Sequence, residues 1–146
     1  MTSTPDKAAR SELTELINRY ADIFDSRDLS GLADCFAPTG RLEIVRPEGN
    51  VVLVGPEKIA AYSDANFFTG PDALLGPDVT STHLMGTVRI TLDSDHARVR
   101  TAAVIFLSEA SRLRIRGVDY TERCVLLDGR WLFEHRQHRL RWATSI

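Results

Sequence analysis

Apolar side chains recur at helical spacing near the start of the chain and at alternate positions through most of its second half. Between Leu13 and Phe24 they fall three or four residues apart, which predicts an amphipathic helix. Thr4–Pro5 suits the start of this helix, because proline fits the first helical turn. The helix is predicted to end near Asp25, on the flank of the apolar stripe, and Asp28 to cap a short second helix.

The remaining pattern predicts strands with one helix between them. Gly55–Pro56 opens that helix, and Asp128–Gly129 is a tight-turn signal between the last two strands. Helices followed by a long antiparallel meander, without an internal repeat, indicate an α+β fold in a single domain over residues 1–146. The predicted strands cover residues 41–45, 51–54, 82–92, 97–108, 112–127 and 131–142.

Two stretches complicate this pattern. The segment 66–78 contains glycines and prolines, and its large apolar side chains suit a lid over a pocket. His83 lies at the start of a predicted strand, on the opposite face from Leu84, Val88 and the apolar residues that follow. A β-bulge near Gly86 would bring His83 and the later apolar residues to the same face.

Composition narrows the class of protein. The chain has 146 residues and a net charge of −2, which suits one domain and gives no basic footprint for nucleic acid. The longest apolar run, Ala102–Leu107, is much shorter than the ~20 residues of a membrane-spanning helix. The N-terminus lacks the apolar stretch of a secretory signal, and Cys35 and Cys124 are predicted to be reduced and buried. A cytoplasmic protein is therefore expected.

The same apolar run predicts an oligomer. Residues 102–107 are apolar on both faces of their strand, and only one face can cover the helices. A second copy of the sheet is the simplest cover for the other face, so we expect a homodimer through the sheet.

Several short segments, taken in order, resemble the SnoaL-like branch of the NTF2-like superfamily, which includes scytalone dehydratase, bile-acid dehydratase, ketosteroid isomerase relatives and polyketide cyclases. The resemblance implies a cone-like fold, in which a curved antiparallel sheet wraps around the N-terminal helices and encloses an apolar pocket. The segments are residues 19–22 with Asp25 and Asp28, 32–36, 55–59, 82–86, 120–123 and 128–136.

The resemblance also implies a site. Tyr20, Asp25 and His83 match a tyrosine, an aspartate and a histidine that face the pocket in dehydratase-like members. A carboxylate bonded to one imidazole nitrogen fixes the tautomer and leaves the other nitrogen as a base, while a tyrosine hydroxyl can stabilise an enolate oxygen. Dehydratases usually carry another polar partner on the next strand, but residues 104–107 here are apolar. Tyr20 has an alternative role as an ordinary stripe residue.

The remaining candidates form the pocket wall. Arg136 matches a family arginine on the last strand, and either neutralises an acidic substrate group or braces the sheet. His135 and His138 do not suggest a metal site, because residues three apart in a strand point to opposite faces. We find no phosphate loop or nucleophile motif, so no cofactor is expected. The candidate substrate-binding residues are Phe24, Phe36, Met85, Phe106, Tyr120 and Arg136.

The sequence therefore favours a cofactor-independent lyase or isomerase that acts on a hydrophobic carbonyl compound through Asp25, His83 and Tyr20. A close alternative is polyketide cyclisation by the same groups. The missing polar partner near Ser108 favours a different class, a non-catalytic module that binds a ligand or dimerises. A small subunit that supports an oxygenase is a third possibility.

Overall fold

A computed structural model describes residues 3–146. In this range the helices are α1 (Thr4–Ser26) and α2 (Pro56–Ser63), and a π-helical turn, Asp64–Thr69, continues from α2. Two short 3-10 turns, Leu29–Gly31 and Ala33–Cys35, join α1 to the first strand. The strands are β1 (Phe36–Val45), β2 (Val51–Val54), β3 (Thr80–Asp93), β4 (His96–Glu109), β5 (Arg112–Leu127) and β6 (Arg130–Ser145).

The six strands form one curved, unclosed sheet in the order β2-β1-β6-β5-β4-β3. β1 runs parallel to β6, whereas every other pair is antiparallel. The apolar stripe of α1 is buried, with Leu13, Leu16 and Ile17 at most 2% exposed. Helix α1 contacts β3 and β6. The predicted α+β architecture is confirmed.

Both ends of α1 are fixed by local hydrogen bonds. The cap is Ser3, one residue earlier than predicted, and its hydroxyl accepts from the Asp6 N–H at 3.2 Å. At the other end Arg27 adopts a left-handed conformation with φ of 60°, which ends the helix. Asp28 then caps the next turn as predicted, accepting from the Ser30 N–H at 3.1 Å.

A register shift in β3 decides which side chains face the interior. The pairing with β4 shifts between Met85 and Val88, so the predicted β-bulge near Gly86 is confirmed. His83 faces inward before the bulge, and Val88 faces inward after it. Uninterrupted alternation predicted that Leu84 and Val88 share one face. The shift instead places Leu84 on the other face, and its side chain is 61% exposed.

A second register shift, in the pairing of β5 with β6, also changes which side chains of β6 face the interior. Cys124 pairs with Phe133 and Arg123 with His135, so one residue of β6 is unpaired between them. Phe133 is buried on one side of this shift, and Arg136 is buried on the other. His135 faces away and contacts the Glu43 carboxylate at 3.1 Å.

The predicted loop over the pocket is partly helical. The π-helical turn carries Phe67 and Phe68, and the chain then passes through Leu74 and Leu75 before β3 begins. Arg27 holds this segment, because its guanidinium donates to the carbonyl of Leu75 at 2.9 Å and to two further carbonyls. No helix among the described residues is long and apolar enough to cross a membrane.

Candidate active site

A cavity lies between α1, the covering segment and the inner face of the sheet. It holds about 560 Å³ of empty space, its open mouth included. Its walls are mainly aliphatic and aromatic, which suits a flat apolar ligand. The lining residues are Tyr20, Phe24, Leu42, Ile44, Phe67, Leu74, Leu75, Ser81, His83, Ile105, Leu107, Arg116, Tyr120 and His138.

Asp25 joins the end of α1 to the start of β3. Its Oδ1 lies 2.6 Å from Nδ1 of His83 and accepts from the Ser81 hydroxyl at 2.8 Å. Its Oδ2 accepts from the backbone N–H of His83 at 2.7 Å. These contacts are possible because Ser81 and His83 are two residues apart on one face of a strand. The carboxylate thus fixes both the backbone and the imidazole of His83.

The other ring nitrogen of His83 is available to a ligand. His83 lines the cavity, and its Nε2 has no hydrogen-bond partner among residues 3–146. An Nδ1–H that donates to Asp25 makes Nε2 the unprotonated nitrogen of the neutral ring. A base is therefore presented to an apolar cavity and held by a carboxylate behind it.

Tyr20 lies in the wall of the same cavity, within a cluster of aromatic rings. Its ring packs edge-on against Phe133, with 5.8 Å between centroids. Burial raises the pKa of the Tyr20 hydroxyl well above its usual value, although the Arg136 charge acts in the opposite direction. The hydroxyl therefore stays protonated at neutral pH and can donate a hydrogen bond.

Arg136 lies behind this wall rather than in it. Its guanidinium lies 4.0 Å from the ring centroids of both Tyr20 and Tyr120, and it is 1% exposed. Its Nη1 is 3.1 Å from Oε1 of Glu122, without the alignment of a hydrogen bond. Burial raises the pKa of Glu122 to about 7, and the Arg136 charge opposes this shift. This placement favours bracing over direct contact with a substrate.

The structure brings some of the residues predicted for the site together at the cavity and places the others elsewhere. Asp25 and His83 are in contact, and His83, Tyr20, Phe24 and Tyr120 line one cavity. Besides Arg136, three predicted wall residues lie elsewhere. Phe36 is buried against Phe133, Met85 packs at the edge of the core, and Phe106 is on the face of β4 opposite the lining residues Ile105 and Leu107.

Two lining residues with titratable side chains were missed by the sequence analysis, His138 and Arg116. His138 lies two residues after Arg136, and Arg116 lies four residues before Tyr120, so alternation places each on an inner face. Burial lowers the pKa of His138 to about 4, with the charge of Arg136 acting in the same direction. His138 is therefore neutral at pH 7, and it supplies a second imidazole that the apolar residues 104–107 do not.

The geometry does not suggest a metal centre in the described part of the chain. Groups of three or more histidine, cysteine or carboxylate side chains with suitable spacing do not occur among residues 3–146.

Comparisons with known proteins place the fold. The sequence model of the SnoaL-like domain family matches residues 6–137. The structure is similar to an NTF2-like protein with a cystatin-like fold from Novosphingobium aromaticivorans, with TM-score 0.77, 24% identity, and 97% of this chain and 92% of that chain covered. No curated protein sequence matches the chain.

Two further solved structures share the fold. One, from Novosphingobium aromaticivorans, is assigned as a scytalone dehydratase (TM-score 0.73, 18% identity, covering 94% of this chain and 87% of that one). The other is the type 3 hexachlorocyclohexane dehydrochlorinase from Novosphingobium barchaimii (TM-score 0.75, 20% identity, covering 95% and 90%). At these identities the likeness concerns the fold alone.

Proposed function

This chain belongs to the SnoaL-like domain family, and we propose that it is, as a single domain, a cofactor-independent lyase or isomerase for a hydrophobic carbonyl compound. In this proposal His83 and Asp25 are the acid–base pair, and Tyr20 stabilises the oxygen of the carbonyl group. The substrate is bound in the aromatic cavity by residues that include Phe24 and Tyr120.

The observation that carries the proposal is the contact between Asp25 and His83. Nδ1 of His83 is 2.6 Å from the carboxylate, and the imidazole faces an apolar cavity. A general base needs a fixed tautomer and a free nitrogen within reach of the substrate. Low solvent access also strengthens the electrostatic contribution of the nearby donors.

The reaction can be written with these groups alone. Nε2 of His83 removes a proton from the carbon next to the carbonyl, and the Asp25 carboxylate stabilises the imidazolium that forms. The Tyr20 hydroxyl donates to the enolate oxygen. When the enolate collapses, the carbon–oxygen bond of a β-hydroxyl group breaks and the imidazolium returns the proton to that hydroxyl, releasing water. Return of the proton to another carbon would give isomerisation instead.

The fold relatives support an elimination of this kind. One is named for dehydration and another for loss of hydrogen chloride, and both reactions remove a proton and a leaving group from neighbouring carbons. Polyketide cyclisation remains an alternative with the same residues, because an enolate can attack a second carbonyl. His138 weakens the case for a non-catalytic module, since a second polar group does line the cavity.

Solvent exchange tests the first step without knowledge of the substrate. The protein is incubated in D₂O with a panel of aromatic β-hydroxyketones, and deuterium uptake next to the carbonyl and loss of water are followed by NMR. We expect His83→Gln and Asp25→Asn to lower exchange by about 10²- to 10⁴-fold, the usual contribution of general acid–base catalysis.

His96→Gln is the matched control. His96 also contacts an aspartate, Asp95, at 2.8 Å, but in an exposed turn. Exchange in this variant should equal that of the wild type. The proposal would be rejected if His83→Gln exchanged deuterium as fast as the wild type. It would also be rejected if His96→Gln, in the exposed turn, lost exchange to the same extent as His83→Gln.

The outer face of the sheet supports a homodimer. Leu84 is 61% exposed and Trp142 is 48% exposed, and the Trp142 ring lies over Gly117, where an added Cβ would clash with the indole. A flat apolar surface of this kind suits a second copy of the sheet. Light scattering should report a dimer for the wild type and a monomer for Leu84→Asp; a monomeric wild type would contradict this assembly.

The cytoplasm is the compartment that fits the cysteines. Cys35 and Cys124 are both free thiols buried in the core. Unpaired buried thiols are ordinary where the redox environment is reducing. Cell fractionation checks this proposal, and recovery of the protein from a secreted fraction would contradict it.

A further inference from the structure

One charged side chain in the cavity wall has no partner. Arg116 lines the cavity from β5, and it forms neither an ion pair nor a hydrogen bond with any residue in 3–146. None of the lining residues is an aspartate or a glutamate. Burial lowers the pKa of Arg116, and the nearby charge of Arg114 adds to this shift. An arginine nevertheless remains charged in proteins.

The carboxylates near the cavity are already engaged. Asp25 is held by Ser81 and His83, and Glu122 lies against Arg136. Asp119, on the opposite face of β5, is 3.5 Å from Arg141. A positive charge that is partly removed from water and uncompensated is costly. A ligand with a negative group would remove that cost.

His138 gives the same cavity a second polar group. It is mostly buried, lines the cavity and has no hydrogen-bond partner among the described residues. Both side chains line the one cavity from neighbouring strands, Arg116 from β5 and His138 from β6, where His138 is paired with Tyr120. A planar guanidinium beside a neutral imidazole offers several N–H donors to one oxyanion.

We propose that the cavity takes a substrate bearing a carboxylate or an equivalent planar oxyanion, which pairs with Arg116 while His138 donates to the same group. Binding of the oxyanion does not depend on the proposed function. Only the reaction that follows binding rests on it. The acidic group would sit against Arg116 and the reacting carbon against His83, which lies at the same level of the sheet two strands away.

Two probes of equal shape test the charge preference. Naphthalene-2-carboxylate and naphthalene-2-carboxamide are titrated into the full-length protein at pH 7, and binding is measured by calorimetry. The carboxylate should bind about tenfold more tightly or better, because two anionic oxygens can accept from the guanidinium, whereas the amide offers one neutral oxygen. Equal affinity for the two probes, or no binding of the carboxylate to the wild type, would overturn the proposal.

Arginine substitutions test whether Arg116 is the source of the preference for the carboxylate. Arg116→Met should remove it, and Arg116→Lys should retain part of it, since the charge remains but the planar fork is lost. Arg100→Met makes the same change on the exposed face of β4 and should leave the preference intact. A preference that survives in folded Arg116→Met, verified by its thermal unfolding, would overturn the assignment.

Asp25→Asn separates this proposal from the proposed function. It should abolish deuterium exchange while the probe preference stays at least as large as in the wild type. Loss of exchange together with a lost preference in Arg116→Met supports both proposals. Retained exchange in Asp25→Asn with an Arg116-dependent preference would reject the acid–base pair and leave the oxyanion site in place.

Discussion

Within residues 3–146 there are two aspartate–histidine contacts of nearly equal length in very different surroundings. Nδ1 of His83 lies 2.6 Å from Asp25, and Nδ1 of His96 lies 2.8 Å from Asp95. The side chains of the first pair are 9% and 24% exposed, and those of the second are 46% and 65% exposed. The separation between an aspartate and a histidine is therefore a poor guide to what the pair can do.

The difference comes from the groups around each pair. Asp25 also accepts from Ser81 and from the backbone of His83, so its position is fixed by three donors. Asp95 and His96 are neighbours in a turn, where water competes for every contact and salt screens it. Only the buried pair combines a rigid imidazole with a cavity that can hold a substrate.

The largest expected effect separates the two pairs by stability. Asp25→Ala would leave the Ser81 hydroxyl and the His83 N–H without an acceptor, which should cost about 3 kcal/mol. Asp95→Ala in the turn should change the free energy of unfolding by less than about 0.5 kcal/mol. Urea denaturation measures both values. Equal losses for the two variants would mean that the buried contact is no more structured than the exposed one.

The imidazole of His138 extends the comparison to the pH dependence of stability. His138 is buried without a carboxylate, and its pKa falls from 6.5 to about 4. The unfolded chain therefore binds an extra proton between these values, and the folded protein loses stability as pH falls through that window. The loss should be about 3 kcal/mol by pH 4.

The substitution His138→Gln removes this pH-dependent contribution to the free energy of unfolding. The stability of the variant relative to the wild type should rise as pH is lowered from 6.5 to 4. Glu122 has the opposite sign, because a pKa raised to about 7 stabilises the folded state toward low pH, and it is present in both proteins. Urea midpoints at several pH values give the difference directly; a constant difference would show that His138 is not buried in its neutral form.

The smallest expected effect concerns one of the three donors to Asp25. Ser81→Ala removes the 2.8 Å contact and should cost about 1 kcal/mol, with a several-fold drop in deuterium exchange. Thr82→Ala is the matched control, because Thr82 is exposed on the other face of β3. If both variants behave alike, Ser81 does not help to orient the carboxylate.

Much of the fold could be predicted because its signals are local. The stripe from Leu13 to Phe24 predicted α1, and Asp128–Gly129 predicted the last hairpin, where both residues have positive φ. The strands began and ended within a few residues of their predicted bounds, except that β1 starts at Phe36 and β6 continues to Ser145. The SnoaL-like resemblance, confirmed by the family match over residues 6–137, supplied the arrangement of these elements.

The site was predicted less completely. The resemblance singled out Asp25, His83 and Tyr20, and alternation within β5 would also have found Arg116 on the face of Tyr120. Phe106 and Met85 were chosen as large apolar residues, without deciding which face each occupies. His138 was considered only as a partner for His135, although it shares the inner face with Arg136.

The sequence by itself determined the helix, the strands, the tight turns and the identities of the reactive side chains, because each depends on residues close together in the chain. The tertiary structure decided which of those side chains meet. Bulges in β3 and β6 reverse the inward face partway along each strand, and sheet pairing across distant segments sets where they occur. For this reason Asp25 and His83, 58 residues apart, share a hydrogen bond at the cavity, and His138 joins them there.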